Sequence, residues 1–134
     1  MNPKNVESAE DEALILDSID QFLERDVRPV AHALEAADAY PKEIADKLAD
    51  LGLFGATISP DYGGLGLGAT TYARIVERVS AVWMSVSGIF NAHLIMAAAV
   101  ERFGTDGQKS KWLPRFASGE LRGGVALTEP DCTS

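Results

Sequence analysis

Apolar residues return every three or four positions along most of this chain, a period that helices alone can present to a common core. The first stripe runs through Ile15, Ile19, Phe22, Leu23, Val27, Val30 and Leu34, which predicts an amphipathic helix from about Ala9 that fades by Tyr40. Ser8 and Asp11 are its candidate caps. Pro29 lies inside the stripe and cannot donate to the Arg25 carbonyl, so a kink or break is expected near it. Pro41 suits the first turn of a short second helix through Ala49, with Ile44, Leu48 and Leu51 turned inward and Gly52 marking the end.

The period then lapses. Gly55 to Gly68 carries five glycines with Pro60, Asp61 and Tyr62, too much backbone freedom for regular structure, and an ordered loop is expected. A third helix opens at Thr70, with Tyr72, Ile75, Val76 and Val79 on one side and Arg74, Glu77 and Arg78 on the other. A fourth, from about Val86 to Phe103, is apolar nearly all round, the pattern of a helix enclosed by protein, and is expected to be the most buried. Gly104 stops it, and Thr105 with Gln108 forms a capping box for a fifth helix through about Ala117, with Trp112, Leu113 and Phe116 inside.

Leu121 to Leu127, with Gly123 and Gly124, is too short for another such helix and reads as the opening of a β-strand. A lone strand leaves its backbone groups unpaired, so a sheet is expected to continue it and the chain reads as part of a longer one. The predicted fold class is all-α, a bundle of about five helices over residues 1–120, with residues 121–134 as the start of a β-domain.

With 134 residues, 46% of them hydrophobic, a core can form without disulfides or a structural metal. The single Cys132 cannot pair within the chain, which fits a reducing compartment, and a cytoplasmic location is expected. A net charge of −8 repels a phosphate backbone, so nucleic acid is not an expected partner. Eight carboxylates between Glu7 and Asp26 face only Arg25 and read as a solvated helix face. The longest apolar run, Leu94 to Val100, is far short of a membrane span, and no signal or transit peptide is visible.

Three patterns could carry chemistry. Gly64 to Ala69 fits the dinucleotide pattern G-x-G-x-x-[GA], but that fingerprint needs a strand before it, and Leu53 to Ile58 would have to be a central parallel strand. Asn91 and His93 interrupt the apolar fourth helix and could touch a ligand. A role satisfied by internal hydrogen bonds is the expected one, because a lone histidine has no co-ligands for a metal. His32 reads as structural in the same way, Cys132 has no neighbouring base to activate it, and Trp83 and Trp112 fall at core positions.

Four blocks in order then carry a resemblance: Asp61-Tyr62-Gly63-Gly64-Leu65-Gly66, Phe103 to Lys109 with Trp112-Leu113-Pro114, Gly119-Glu120, and Ala126-Leu127-Thr128-Glu129-Pro130. Their succession resembles the acyl-CoA dehydrogenases from about Ala9 to the last residue. The resemblance implies an N-terminal helical domain followed by a central β-domain and a C-terminal bundle, with FAD and an acyl-CoA thioester held between them. It implies α,β-dehydrogenation by a glutamate base of the C-terminal domain, so no catalytic residue and no metal ligand is assigned in this chain. Electron-transfer flavoprotein as oxidant and a homo-oligomeric assembly are implied likewise. The matching flavin-loop positions are Val125, Leu127, Thr128 and Ser134, and the sequence departs at Asp131-Cys132-Thr133, where many relatives carry small residues with a glycine before the serine. The fourth helix and the Tyr62 to Gly68 loop would line the acyl channel. These residues alone are expected to be inactive and not to retain FAD. The alternative reading is a non-catalytic helical interaction module on the same scaffold.

Overall fold

The computed structural model describes residues 9–130. Five α-helices follow in order: α1 (Ala9–Phe22), α2 (Arg28–Ala36), α3 (Lys42–Asp50), α4 (Ala69–Phe103) and α5 (Asp106–Ala117). The break expected at Pro29 takes the form of a single π-helical turn, Leu23–Val27, in which Arg28 N–H reaches back to the Leu23 carbonyl. The wider turn absorbs one extra residue, so that proline begins α2 without clashing with the turn before it. Leu23 and Val27 are both buried in that turn. α3 starts one residue after Pro41 and buries Ile44 and Leu48, while Leu51 is half-buried.

The third and fourth predicted helices are the two arms of α4. Trp83 has φ −158° and ψ 102°, which no helix accommodates. Tyr72, eleven residues before it, donates to Asn91, eight residues after it. The Tyr72 and Phe90 rings meet edge to face at 6.3 Å, and Ser80 Oγ donates to Ser87 Oγ at 3.0 Å. In a straight helix a separation of nineteen residues would exceed about 25 Å, so the arms, residues 69–82 and 84–103, fold back along one another. Trp83 is buried at the corner, as expected of a core residue, and its indole N–H donates to the Glu35 carboxylate at the end of α2. α4 is the one helix among the described residues long and apolar enough to cross a membrane by length and composition, but the reversal divides it, and Phe90, His93, Leu94 and Ala97 of its second arm are buried within the bundle.

The acidic run of α1 is only partly a solvated face. Glu12 pairs with Arg74 and Asp20 with Arg78, joining α1 to the first arm of α4. Asp26 takes Lys47 of α3 as well as Arg25, and these two cations hold its carboxyl below the usual carboxylate range, Arg25 contributing more.

Residues 53–68 form an ordered loop with two 3-10 turns, Leu53–Gly55 and Pro60–Tyr62. Leu65 N–H donates to Gly55, Gly66 N–H to Ile58 and Leu67 N–H to Ala56, folding the segment onto itself. The Glu101 carboxylate accepts from Ser59 N–H and ties the loop to the second arm of α4. Two of the glycines are demanded by this closure. A Cβ at Gly64 would run into the Ile58 carbonyl, and Gly66 sits at φ 62°. No strand precedes the loop among the described residues, so the glycine pattern closes a turn and the dinucleotide reading fails.

The fourth predicted helix is not enclosed. One face of the second arm, with Phe90, His93, Leu94 and Ala97, is buried, whereas Gly88, Ala92, Ile95, Ala99 and Phe103, spaced by three and four, form an exposed apolar stripe opposite. Ile95 is 61% and Phe103 79% exposed. The all-round apolar composition reflects two distinct faces, only one of which the bundle covers.

Two contrasts in stability follow. Gly64→Ala is expected to cost about 1–3 kcal/mol through overpacking against the backbone, whereas Gly107→Ala, in the first turn of α5 with nothing near its Cβ position, should stabilise by roughly 0.5–1 kcal/mol. Urea denaturation of the variants checks both signs. By the same measurement Leu94→Ala should cost about 2–5 kcal/mol, while its neighbour Ile95→Ala should stay within about 0.5 kcal/mol of the parent. Equal losses at the two positions would contradict the assignment of faces.

Candidate functional site

α5 begins with the capping box foreseen in the sequence, Thr105 Oγ1 accepting from Gln108 N–H at 3.3 Å and Gln108 Oε1 from Thr105 N–H at 2.8 Å. It ends by turning at Gly119, φ 72°, and the chain then passes back over the second arm of α4. Gly123 lies where a Cβ would meet the Met96 thioether, and Gly124 lies close to Ala92. Residues 122–129 adopt no regular secondary structure, and no strand forms among the described residues. The predicted opening of a β-strand is thus an irregular segment without a ladder, since no second strand lies beside it among the described residues to accept its hydrogen bonds.

Three of the four positions matched to a flavin loop lie on that segment. Val125 is 51% and Leu127 77% exposed, Thr128 is exposed, and Ser134 lies outside the described residues. Gly123 to Thr128 carries no charged side chain. The segment leaves the bundle beside the exposed apolar stripe of α4, to which Ala92 belongs, so the chain presents one apolar wall with a neutral, hydroxyl-bearing strip of backbone at its edge.

Two anchors hold the root of this strip. His93 is fully buried, with Nε2 3.1 Å from the Phe116 carbonyl and Nδ1 accepting from Gly123 N–H at 3.3 Å. Burial lowers its pKa below the usual 6.5, and nearby Arg122 adds to this, while the Phe116 and Phe54 carbonyls oppose it. Arg122 lies over the Phe54 ring at 4.8 Å, donates to the Gly119 carbonyl at 3.2 Å and pairs with Asp46 of α3 at 2.8 Å. Lys42 and then Arg122 hold the Asp46 carboxyl below its ordinary range.

The internal role expected for Asn91 and His93 holds for both, since Asn91 accepts from the Tyr72 hydroxyl, whose pKa burial pushes up to about 12. The Arg122 anchor is invisible in the sequence, because Phe54, Asp46 and Arg122 are brought together only by the tertiary fold. A groove of about 530 Å³ lies elsewhere, between the π turn with α2 and α3, lined by Pro29, Val30, Tyr40 and Ile44 among others. No residue of the flavin-loop positions lines it.

Comparison with known proteins places this geometry. The family model described as acyl-CoA dehydrogenase, N-terminal domain, matches residues 9–120. The chain is 35% identical over 122 residues to the (2S)-methylsuccinyl-CoA dehydrogenase of Cereibacter sphaeroides, covering 90% of this chain and 22% of that protein. It superposes on a chain in a solved structure of the electron transferring flavoprotein of Acidaminococcus fermentans with a TM-score of 0.84 at 30% identity, covering 98% of this chain and 34% of that one. For the glutaryl-CoA dehydrogenase of Mycobacterium smegmatis in complex with FADH2, the TM-score is 0.83 at 27% identity, over 92% of this chain and 32% of that one. The chain therefore spans between 22% and 34% of the length of these relatives. Matched over nearly all of its helical part, the chain belongs to the acyl-CoA dehydrogenase family, to whose N-terminal domain it corresponds.

Proposed function

We propose that this chain forms the helical wall, and the beginning of the flavin loop, of an FAD-dependent dehydrogenase that introduces an α,β double bond into an acyl-CoA thioester. The observation that carries the reading is the exposed apolar stripe of α4 with the neutral segment Gly123 to Thr128 rooted beside it. On this reading residues 1–120 are the helical domain and 121–134 open the central β-domain.

The residues fit the cofactor. FAD, when bound, supplies the hydride acceptor. Thr128 offers a hydroxyl, the backbone around Val125 and Leu127 offers N–H groups, and no side chain from Gly123 to Thr128 brings a competing charge. Ser134 would complete the set. The stripe of Ala92, Ile95 and Ala99 excludes water and suits an acyl tail, each buried methylene contributing about 0.8 kcal/mol. This chain supplies binding and exclusion of water, and the proton-abstracting base belongs to another domain. Re-oxidation by an electron-transfer flavoprotein, homo-oligomeric assembly, a cytoplasmic location, and use of the α4 stripe against protein and ligand rather than lipid belong to the same proposal. The glutaryl-CoA dehydrogenase likeness in complex with FADH2 supports it.

The test is a chimera in which residues 1–134 replace the corresponding part of the Mycobacterium smegmatis glutaryl-CoA dehydrogenase. The chimera should purify yellow and reduce a dye with an acyl-CoA, and residues 1–134 alone should purify colourless. Thr128→Val in the chimera should weaken FAD retention about three- to tenfold, the worth of one hydrogen bond. A folded chimera without flavin would overturn the proposal in favour of a non-catalytic interaction module, and stoichiometric flavin on residues 1–134 alone would overturn the wall reading.

A further inference from the structure

We propose that His93 is a positioning residue for the flavin segment: its imidazole, with the proton on Nε2, clamps the backbone of Gly123 to the last turn of α5. A neutral imidazole has one donor and one acceptor. Gly123 N–H can only donate, which makes Nδ1 the acceptor and leaves Nε2–H as the ring's one donor, 3.1 Å from the Phe116 carbonyl with the Phe54 carbonyl also beside the ring. The ring packs at right angles against Phe54, 5.0 Å away at 81°, and Phe116, 5.6 Å away at 89°, and it is fully buried. No group of three metal-binding side chains exists among the described residues, and the ring is sealed from solvent, so neither ligation nor proton exchange with a substrate explains it.

The clamp sits at the point where position matters. Gly123 is where the chain crosses α4, and Thr128 follows five residues later, at most about 17 Å of extended chain. Any slack at Gly123 is passed on to Thr128, whose role rests on the function proposed above. Protonation would set Nδ1–H against Gly123 N–H, donor against donor. The charged group facing the ring is Arg122, itself paired with Asp46 of α3, while the loop and α5 present Phe54 and Phe116. Because the folded pKa lies below the unfolded one, the clamp's contribution is complete above about pH 6.5 and is lost as pH falls below that value.

An isotope-labelled sample of residues 1–134 tests this by NMR without flavin. At neutral pH the His93 ring nitrogens should report the Nε2–H tautomer, and the Gly123 amide should exchange slowly, its protection fading as pH falls below the ordinary imidazole range. His93→Leu, which removes both bonds, should speed Gly123 exchange about tenfold or more, the worth of a buried hydrogen bond. His93→Gln, which keeps a donor and an acceptor, should restore most of the protection. In the chimera the same pair should lower and then restore FAD affinity, with helix content unchanged. An Nδ1–H tautomer, or unchanged Gly123 exchange in a folded His93→Leu variant, overturns the proposal, and the tautomer decides it even where that variant does not fold. Altered Gly123 exchange with no effect of Thr128→Val on flavin would leave the clamp standing and sink the flavin reading. The reverse result would sink the clamp alone.

Discussion

The reversal of α4 at Trp83 is the constraint on which the rest of the molecule depends. A buried indole must find an acceptor for its N–H, and Trp83 meets the Glu35 carboxylate while standing as a non-helical residue between two helical arms. The carboxylate also accepts from Ser85 Oγ at 3.1 Å, at the start of the second arm, where negative charge is favoured by the exposed N–H groups of the first turn. Once the arms lie together, the first engages α1 through Arg74 and Arg78, and the second offers His93 to Phe54 of the loop and Phe116 of α5. Tyr72 with Asn91 and Ser80 with Ser87 close the seam between them.

Much of this architecture is legible in the residues. Periodicity locates every helix, Thr105 and Gln108 announce the start of α5, and Pro29 marks the disturbance in the first stripe. What could not be read is what an apolar surface faces. Leu94 and Ile95 are neighbours of equal hydrophobicity, yet one is 4% and the other 61% exposed. A composition that is apolar all round fits a helix in a core and equally a helix with two separate faces, and only the packing decides between them. The acidic run of α1 was ambiguous for the same reason, because its partners Arg74, Arg78 and Lys47 lie far along the chain.

The candidate site divides in the same manner. Thr128 and its neighbours are recognisable from a local motif, since a segment of small neutral residues ending in a threonine is a feature of consecutive positions. Their support is not local. His93 is thirty residues from Gly123, and Asp46 is seventy-six from Arg122. A histidine in an apolar helix signals only that a polar group must be satisfied somewhere, and the partner follows from the tertiary course of the chain.

The second arm of α4 therefore performs two tasks with one helical period. Residues 90, 93, 94 and 97 are buried in the bundle, and residues 92, 95, 99 and 103 stay exposed, although all but His93 are apolar. An apolar stripe left exposed by the bundle gains free energy when something covers it, and the segment rooted by His93 already lies along its edge at Ala92. Wall and strip are held in register by the same helix. A ligand seated on one thus meets the other at a position set by packing inside the bundle, not by the freedom of a loop. That arrangement gives a reason for the buried imidazole: a hydrogen bond that fixes one backbone amide limits the positions open to every residue that follows it until the next anchor.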